Sequence, residues 1–408
     1  MIPLDFPFRR NQERMPAFAR VLWSLLHRLP VGTLEVVTPK GGRQRFGAGG
    51  APAPGAKASP GLLRIRDWRT VSSALKGGDV GFAEGYMQGH WTTPDLTQLL
   101  TVMAANQPAL ERAFYGRWWM RTLLRVKHGL RANTRQQARR NIVAHYDLGN
   151  DFFALWLDSS MTYSSALFDG DFTRPLAEAQ HAKYDHMLAT LDLRPGARLL
   201  EIGCGWGGFA ERAARAGHHV TGLSLSDAQT AFARARLASA GLTADLRVQD
   251  YRDVCGTFDG VASIEMFEAV GERYWPAYFR AVRAALAPGA RAAIQAITIT
   301  DERFERYRTQ SDFIQQYIFP GGMLASPTRL RDEAARAGLS LVASHTFGAD
   351  YAETLKRWLA AFDDAAPAIR AQGFDERFIL CWRFYLAYCA AGFDTGTIDV
   401  GQYTFAAA

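Results

Sequence analysis

Apolar residues in the second half of the chain fall into short runs bounded by turn residues, and these runs alternate with stretches where apolar positions recur every three or four residues. The runs at Ala197 to Gly203, His218 to Ser224, Asp245 to Gln249, Phe258 to Met266 and Ala290 to Ile299 predict strands. Pro175 to Leu191, Gly208 to Ala216, Ala228 to Ala240 and Tyr274 to Ala287 predict helices. Alternation at that length predicts an α/β fold: a mostly parallel, Rossmann-like sheet covered by helices on both faces, with ligands at the carboxyl ends of the strands. Asp301 to Phe319 predicts a helical lid inserted before Pro320-Gly321-Gly322. The helices at Ala352 to Ala371 and Arg377 to Ala391 carry Trp358, Phe362, Phe378, Trp382 and Tyr385 on one face, which suits a core. Thr397 to Phe405 is β-rich and predicts a closing antiparallel strand.

The first third patterns differently. A short amphipathic helix is expected from Ala17 to Leu29, then a hairpin with strands Gly32 to Thr38 and Arg43 to Phe46 about the Pro39-Lys40-Gly41-Gly42 turn. Gly47 to Gly61 reads as a loop rich in Gly, Ala and Pro, and Leu62 to Asp67 as a further strand. Helices follow around Val71 to Leu75, Gly81 to Met87 and Leu96 to Asn106. The expected division is a smaller α+β domain over residues 1–140 and a catalytic domain over 141–408.

Charge changes the picture at one place. The net charge of +7 is modest for 408 residues, but between Arg112 and His145 there are nine Lys/Arg and no Asp/Glu, interleaved with Phe114, Tyr115, Trp118 and Trp119. Arg117, Arg121 and Arg125 recur at helical spacing. Such a segment suits anionic lipid headgroups at a membrane surface, or a solvated helix whose aromatics pack on the second domain. No recognition module for nucleic acid accompanies it. Nowhere do 18 uncharged apolar residues run together, so membrane contact is expected to be peripheral. The four cysteines have neither C-x-x-C pairing nor metal spacing, which fits a reducing cytoplasm and predicts no metal.

Candidate chemistry centres on Glu201-Ile202-Gly203-Cys204-Gly205-Trp206-Gly207-Gly208, a strand running into a glycine loop and a helix. Glycines let backbone approach a ligand closely, and the free N–H groups of the helix start face it. Gly203, Gly205 and Gly208 also satisfy the dinucleotide pattern, which expects an acidic residue about 20 positions on at the end of the next strand. That strand ends instead in Leu223-Ser224-Leu225-Ser226. With Glu201 ahead of the loop, the run takes the E-x-G-x-G-x-G form and resembles that of S-adenosylmethionine (SAM) methyltransferases, so SAM is favoured over NAD.

Further motifs then make the chain specific. Asn150-Asp151-Phe152-Phe153, Met161-Thr162-Tyr163-Ser164, the glycine loop, Asp250-Tyr251-Arg252-Asp253, Met266-Phe267-Glu268-Ala269-Val270-Gly271, Tyr317-Ile318-Phe319-Pro320-Gly321-Gly322 and Phe347-Gly348-Ala349-Asp350-Tyr351 follow in order. Together they resemble the cyclopropane-fatty-acyl-phospholipid synthase family of SAM-dependent methyltransferases from about Asn141 onward. Glu84-Gly85-Tyr86-Met87 and Gly89-His90-Trp91 resemble the extra N-terminal domain of its bacterial members. The resemblance implies a class I SAM methyltransferase that transfers a methyl(ene) group to the double bond of unsaturated phospholipid acyl chains, at the cytoplasmic face of the membrane. A methyl- or methylene-branched product is the alternative to a ring, and a lipid-binding protein without the activity a more distant one. The oligomeric state is left open, a homodimer included.

Carried over residue by residue, the resemblance implies that Tyr163 and Ser164 hold the methionine end of SAM, while Gly203 and Gly205 approach by backbone next to Glu201. Ser224, Leu225 and Gln229 would contact the ribose and nearby polar groups, and Tyr251 and Arg252 would flank the adenine. Phe152, Phe153, Phe168, Phe267, Tyr317 and Phe347 are candidates for an aromatic wall that stabilises a carbocation. The family's bicarbonate site implies roles for Glu268, Ile297 and Tyr351. Ser165 stands where the family has Cys, Gln295 where it has His, and Ala269 where a His often follows the Glu. Ser and Gln still offer hydrogen bonds to an anion, but these replacements leave bicarbonate itself, and ring closure with it, an open question. Glu268 is expected to orient the proton acceptor or to take the proton.

Overall fold

The computed structural model describes residues 15–47, 52–107 and 148–407. The chain forms two compact units, Met1–Arg117 and Trp118–Ala408. The expected boundary at 140/141 and the basic segment Arg112 to Arg140 lie outside the described residues.

In the first unit a helix, Ala17–Leu26, precedes strands β1 (Leu34–Val37), β2 (Arg43–Phe46), β3 (Gly61–Ile65) and β4 (Trp91–Thr92). The sheet order is β2-β1-β3-β4. β1 and β2 form the expected antiparallel hairpin, while β3 lies parallel to β1 and β4 antiparallel to β3. The two expected helices around residues 71–87 are halves of one element, Arg69–Met87, broken at Gly78, whose φ of 61° and ψ of −133° no helix accommodates. Asp95 caps the helix Leu96–Ala105 by accepting from Gln98 N. Trp23, Val36, Trp91 and Leu99 are completely buried in this unit. The two-residue strand β4 was too short for its pattern to reveal.

The second unit is built on seven strands: β5 (Arg198–Ile202), β6 (His219–Ser224), β7 (Asp245–Val248), β8 (Phe258–Ile264), β9 (Leu286–Ile299), β10 (Leu339–Thr346) and β11 (Ile398–Ala407). Their order is β10-β11-β9-β8-β5-β6-β7. β5 pairs parallel with β6 and β8, and β8 with β9, so β5 is where the winding of the sheet reverses. β11 is the expected antiparallel strand, inserted between β9 and β10.

Period-two burial on both faces explains the layers. On β5, Leu199 packs with Tyr184, Met187, Phe209, Ala213, Ala233 and Leu237 of the helices Leu176–Leu191, Gly208–Arg215 and Asp227–Ser239. Its neighbour Leu200 packs on the opposite face with Tyr278, Phe279 and Val282 of Trp275–Ala285 and Leu330 of Pro327–Arg336. Each such fully buried side chain contributes about 1.5–3 kcal/mol. The expected helical insertion is present in two pieces, Asp301–Tyr307 and a π-helical turn at Ile314–Ile318, with Gln315 Nε2 donating to Gly322 O and Tyr307 Oη. The paired helices Gly348–Ala371 and Glu376–Asp394 bring Trp358, Phe362 and Trp382 onto Phe152, Phe153 and Trp156. That ring cluster is core, as the aromatic face suggested.

Candidate active site

The carboxyl ends of β5, β6 and β8 open onto one cavity at the reversal point of the sheet, where such folds bind ligands. Its lining includes every cofactor residue named from the sequence: Tyr163, Ser164, Glu201, Gly203, Gly205, Ser224, Leu225, Gln229, Tyr251 and Arg252.

Local geometry explains why. Gly203 N and Cys204 N both donate to Leu223 O, at 2.9 and 2.8 Å, tying the glycine loop to the end of β6. Gly205 sits at φ +50°, and a Cβ there would meet no heavy atom within 4 Å, so its bare face looks into open space. A Cβ on Gly208 would lie 2.7 Å from Tyr184 Oη, which keeps the helix start close to its neighbour. Arg236 gathers the surrounding loops: it donates to Glu211 Oε2 (2.6 Å), Ser160 O (2.7 Å) and Trp206 O (3.2 Å).

Polar groups at the cavity are partly tied to one another and partly unspent. Ser224 Oγ donates to Gln229 Oε1 at 3.2 Å. Arg252 is paired with Asp250, and that bond raises its pKa. Asp250 also lines the cavity, a residue of the quoted motif that the sequence reading left without a role. Glu201 Oε2 is buried without a partner, and burial pushes its carboxyl up to about 8, opposed by the charge of Lys183. An unpartnered carboxylate oxygen bordering a cavity suits the ammonium of a SAM methionine, so the residues fit the cofactor.

Lys183 is a second residue the sequence reading passed over. It is completely buried and donates to Ser164 Oγ (2.6 Å) and Gln180 Oε1 (2.7 Å). Burial pulls it down to about 7, opposed by Glu265, Asp158 and Glu201. Its signal was the i, i+3, i+4 face of Gln180, Lys183 and Tyr184.

The residues assigned to an anion site divide into two groups. Ser165, Gln295 and Tyr351 converge, but on the carboxylate of Glu265, which the sequence reading did not single out. Glu265 Oε1 accepts from Ser165 N and Gln295 Nε2, both at 2.8 Å, and Oε2 accepts from Tyr351 Oη at 2.6 Å. Ser165 contributes its backbone N–H; its hydroxyl donates to Ala166 O. Glu268 and Ile297 pair with each other instead, Ile297 N donating to Glu268 Oε1, while Glu268 Oε2 is buried without a partner. Burial and the nearby Glu265 charge push Glu268 up to about 8. Glu265 lines the cofactor cavity and Glu268 does not. The available signal for Glu265 was its position, directly after a parallel strand beside the reversal point.

The six aromatic candidates do not line the cofactor cavity. Phe152, Phe153, Phe168 and Phe267 are completely buried, Phe267 packing with Trp275, Tyr278 and Phe279. Tyr317 stacks on Phe313 and Phe347 on His345.

A glycine loop at the reversal point of a mostly parallel sheet with one antiparallel inserted strand is the architecture of a class I SAM-dependent methyltransferase. The family model described as mycolic acid cyclopropane synthetase matches residues 133–403. The chain is 42% identical over 338 residues to tuberculostearic acid methyltransferase UfaA1 of Mycobacterium tuberculosis, covering 80% of this chain and 78% of that one. It is 33% identical to cyclopropane-fatty-acyl-phospholipid synthase of Escherichia coli K12, covering 85% and 88%. Among solved structures, mycolic acid cyclopropane synthase CmaA1 complexed with SAH and CTAB superposes with a TM-score of 0.61 at 32% identity, covering 65% of this chain and 97% of that one. The protein belongs to the mycolic acid cyclopropane synthetase family of SAM-dependent methyltransferases, and NAD is set aside.

Proposed function

We propose that the protein methylates the double bond of unsaturated acyl chains in membrane phospholipids. The observation that supports this most is the pairing of a SAM cavity with Glu265, a carboxylate at its wall. SAM supplies an electrophilic methyl group. An isolated alkene is a weak nucleophile, so reaction needs close alignment away from water. Methyl transfer leaves a positive charge on the acyl chain, and fixed carboxylates stabilise such a charge most in a dry site. Glu265 provides that field; the six aromatic candidates do not line the cofactor cavity.

A second reading, a methyl- or methylene-branched product rather than a ring, is favoured by the higher identity to a relative named a methyltransferase, 42%, than to one named a cyclopropane synthase, 33%. A ring and a methylene branch both lose one proton from the transferred methyl group, and a saturated methyl branch requires in addition a hydride donor acting on the methylene product. Among the described residues no helix is long and apolar enough to cross a membrane. Docking on anionic lipid at the inner face through the basic segment 112–140, with the protein otherwise cytoplasmic, completes the proposal.

The test is incubation with methyl-trideuterated SAM and vesicles of oleoyl phosphatidylglycerol, followed by gas chromatography and mass spectrometry of the released fatty acids. Acyl chains carrying two deuterium atoms support the reading, and retention time separates ring from branch. SAM binding with no label in the acyl chains refutes it.

A further inference from the structure

Glu265 is held in an unusual way. It is one of the few non-glycine residues at positive φ among those described, at +48°, and Met161, at +51°, also lines the cavity. Backbone in that region is strained for a residue with a side chain and persists where the surroundings fix it. What fixes it here is a set of three donors from distant parts of the chain: Ser165 N, Gln295 Nε2 and Tyr351 Oη. Ser165 and Gln295 are completely buried and Tyr351 nearly so.

The donors are themselves oriented. Gln402 Nε2 donates to Gln295 Oε1 at 3.0 Å, and Gln402 Oε1 meets His186 Nδ1 at 2.6 Å. With its oxygen occupied, Gln295 must present its N–H₂ to Glu265, so the site is built to receive an acceptor. These are the groups that an external bicarbonate would need. All three are spent on a side-chain carboxylate, and the Ile297 N–H is spent on Glu268. Bicarbonate does not fit this site.

We infer that Glu265, through Oε2, is the proton acceptor of the reaction, a built-in carboxylate in place of an added carbonate-type base. This rests on the acyl methyl-transfer reading above. A carboxylate has about four lone-pair sites. Oε1 has both of its sites engaged and Oε2 one, so the free site is on Oε2, on a residue that lines the cofactor cavity. Glu268 lacks that access. The alkene π pair forms the new C–C bond as the methyl C–S bond breaks. A C–H bond of the transferred methyl then breaks. Its electron pair closes a ring on the cationic carbon, or a methylene double bond after a hydride shift, and the proton goes to Glu265. The proton later passes to solvent, restoring the carboxylate. Separately, burial raises the Glu265 pKa while Lys183 and the three donors restrain it, which moves the group toward the range of an effective base at neutral pH.

The experiment uses the full chain, trideuterated SAM and oleoyl phosphatidylglycerol vesicles in buffer purged of carbon dioxide, then with bicarbonate restored. Wild-type rate should be the same in both. Glu265→Gln should lower turnover by about a hundredfold or more, with SAM affinity by calorimetry close to wild type. Glu265→Gly suits the positive φ and leaves the three donors open, so added bicarbonate or formate should restore its turnover saturably. Wild-type turnover that depends on bicarbonate overturns the inference, as does full turnover by Glu265→Gln or a SAM-binding Glu265→Gly that no carboxylate rescues. A wild-type chain that binds SAM yet methylates no acyl chain overturns the substrate reading instead, and this assignment falls with it.

Discussion

Replacing Gly205 separates cofactor binding from folding. The residue lies at φ +50°, and a Cβ would point into open space, with nothing within 4 Å. Gly205→Val therefore meets no protein atom at Cβ but places a branched side chain in the cavity. The left-handed backbone costs a non-glycine residue about 1–2 kcal/mol, which lowers Tm by about 2 °C per kcal/mol in a domain of this size. The cofactor loses more. If the side chain keeps SAM from two loop hydrogen bonds worth about 1.5 kcal/mol each, affinity falls by about a hundredfold. Gly207 is the control: at φ +79°, its Cβ would lie 2.8 Å from Ala233 Cβ, so Gly207→Val strikes the core and should lose stability first. Calorimetric titration with SAM and thermal denaturation without it read the two effects apart. Undiminished SAM affinity in a folded Gly205→Val protein would refute the placement of the cofactor.

Glu268→Gln should reduce turnover less than Glu265→Gln, because Glu268 Oε1 is spent on Ile297 N and the residue does not line the cavity; equal losses by steady-state kinetics would refute this ranking, and a larger loss at Glu268 would reverse the two roles. The same variant carries a pH signature. The folded pKa of Glu268 is raised to about 8 from an ordinary 4.5 by burial and by the facing Glu265, so the folded state favours the protonated form. Wild type should lose stability relative to Glu268→Gln as pH rises from the ordinary value through about 8, and denaturant unfolding across that window tests the sign. Arg236→Ala removes donors to Glu211, Ser160 O and Trp206 O, and should cost about 2 kcal/mol and weaken SAM binding with it; an unchanged Tm would show that the loops hold without it. Neutralising Arg117, Arg121 and Arg125 should weaken sedimentation with anionic vesicles, and raised salt should do the same to wild type, because exposed charges are screened over about 8 Å at physiological ionic strength; indifference to both treatments would leave the segment no role in docking.

The elements of the sheet were readable from the chain because each depends on local pattern. Leu199 and Leu200 face opposite layers, so a strand buried on both sides reads as a continuous apolar run whatever surrounds it. The cofactor loop was readable for a similar reason, since conformations like those of Gly203 and Gly205, and the absence of an acid after Leu223, are properties of a few consecutive residues. The edge strand Leu339–Thr346 was missed: its burial is irregular, and its place is set by pairing with β11 rather than by its own residues. The anion site was legible only as a set of names. Ser165, Gln295 and Tyr351 could be listed together, but what they hold depends on contacts across 30 to 100 positions of chain. Ile264 is registered opposite Gln295, and Glu265 N bonds Gln295 O. The strand direction and the positive φ at its end then decide that Glu265, not Glu268, turns its carboxylate to the three donors. Sequence spacing carries no such information, because a side chain's partners are chosen by where the sheet register and the helix Gly348–Ala371 place them, and those are settled only when the whole core packs.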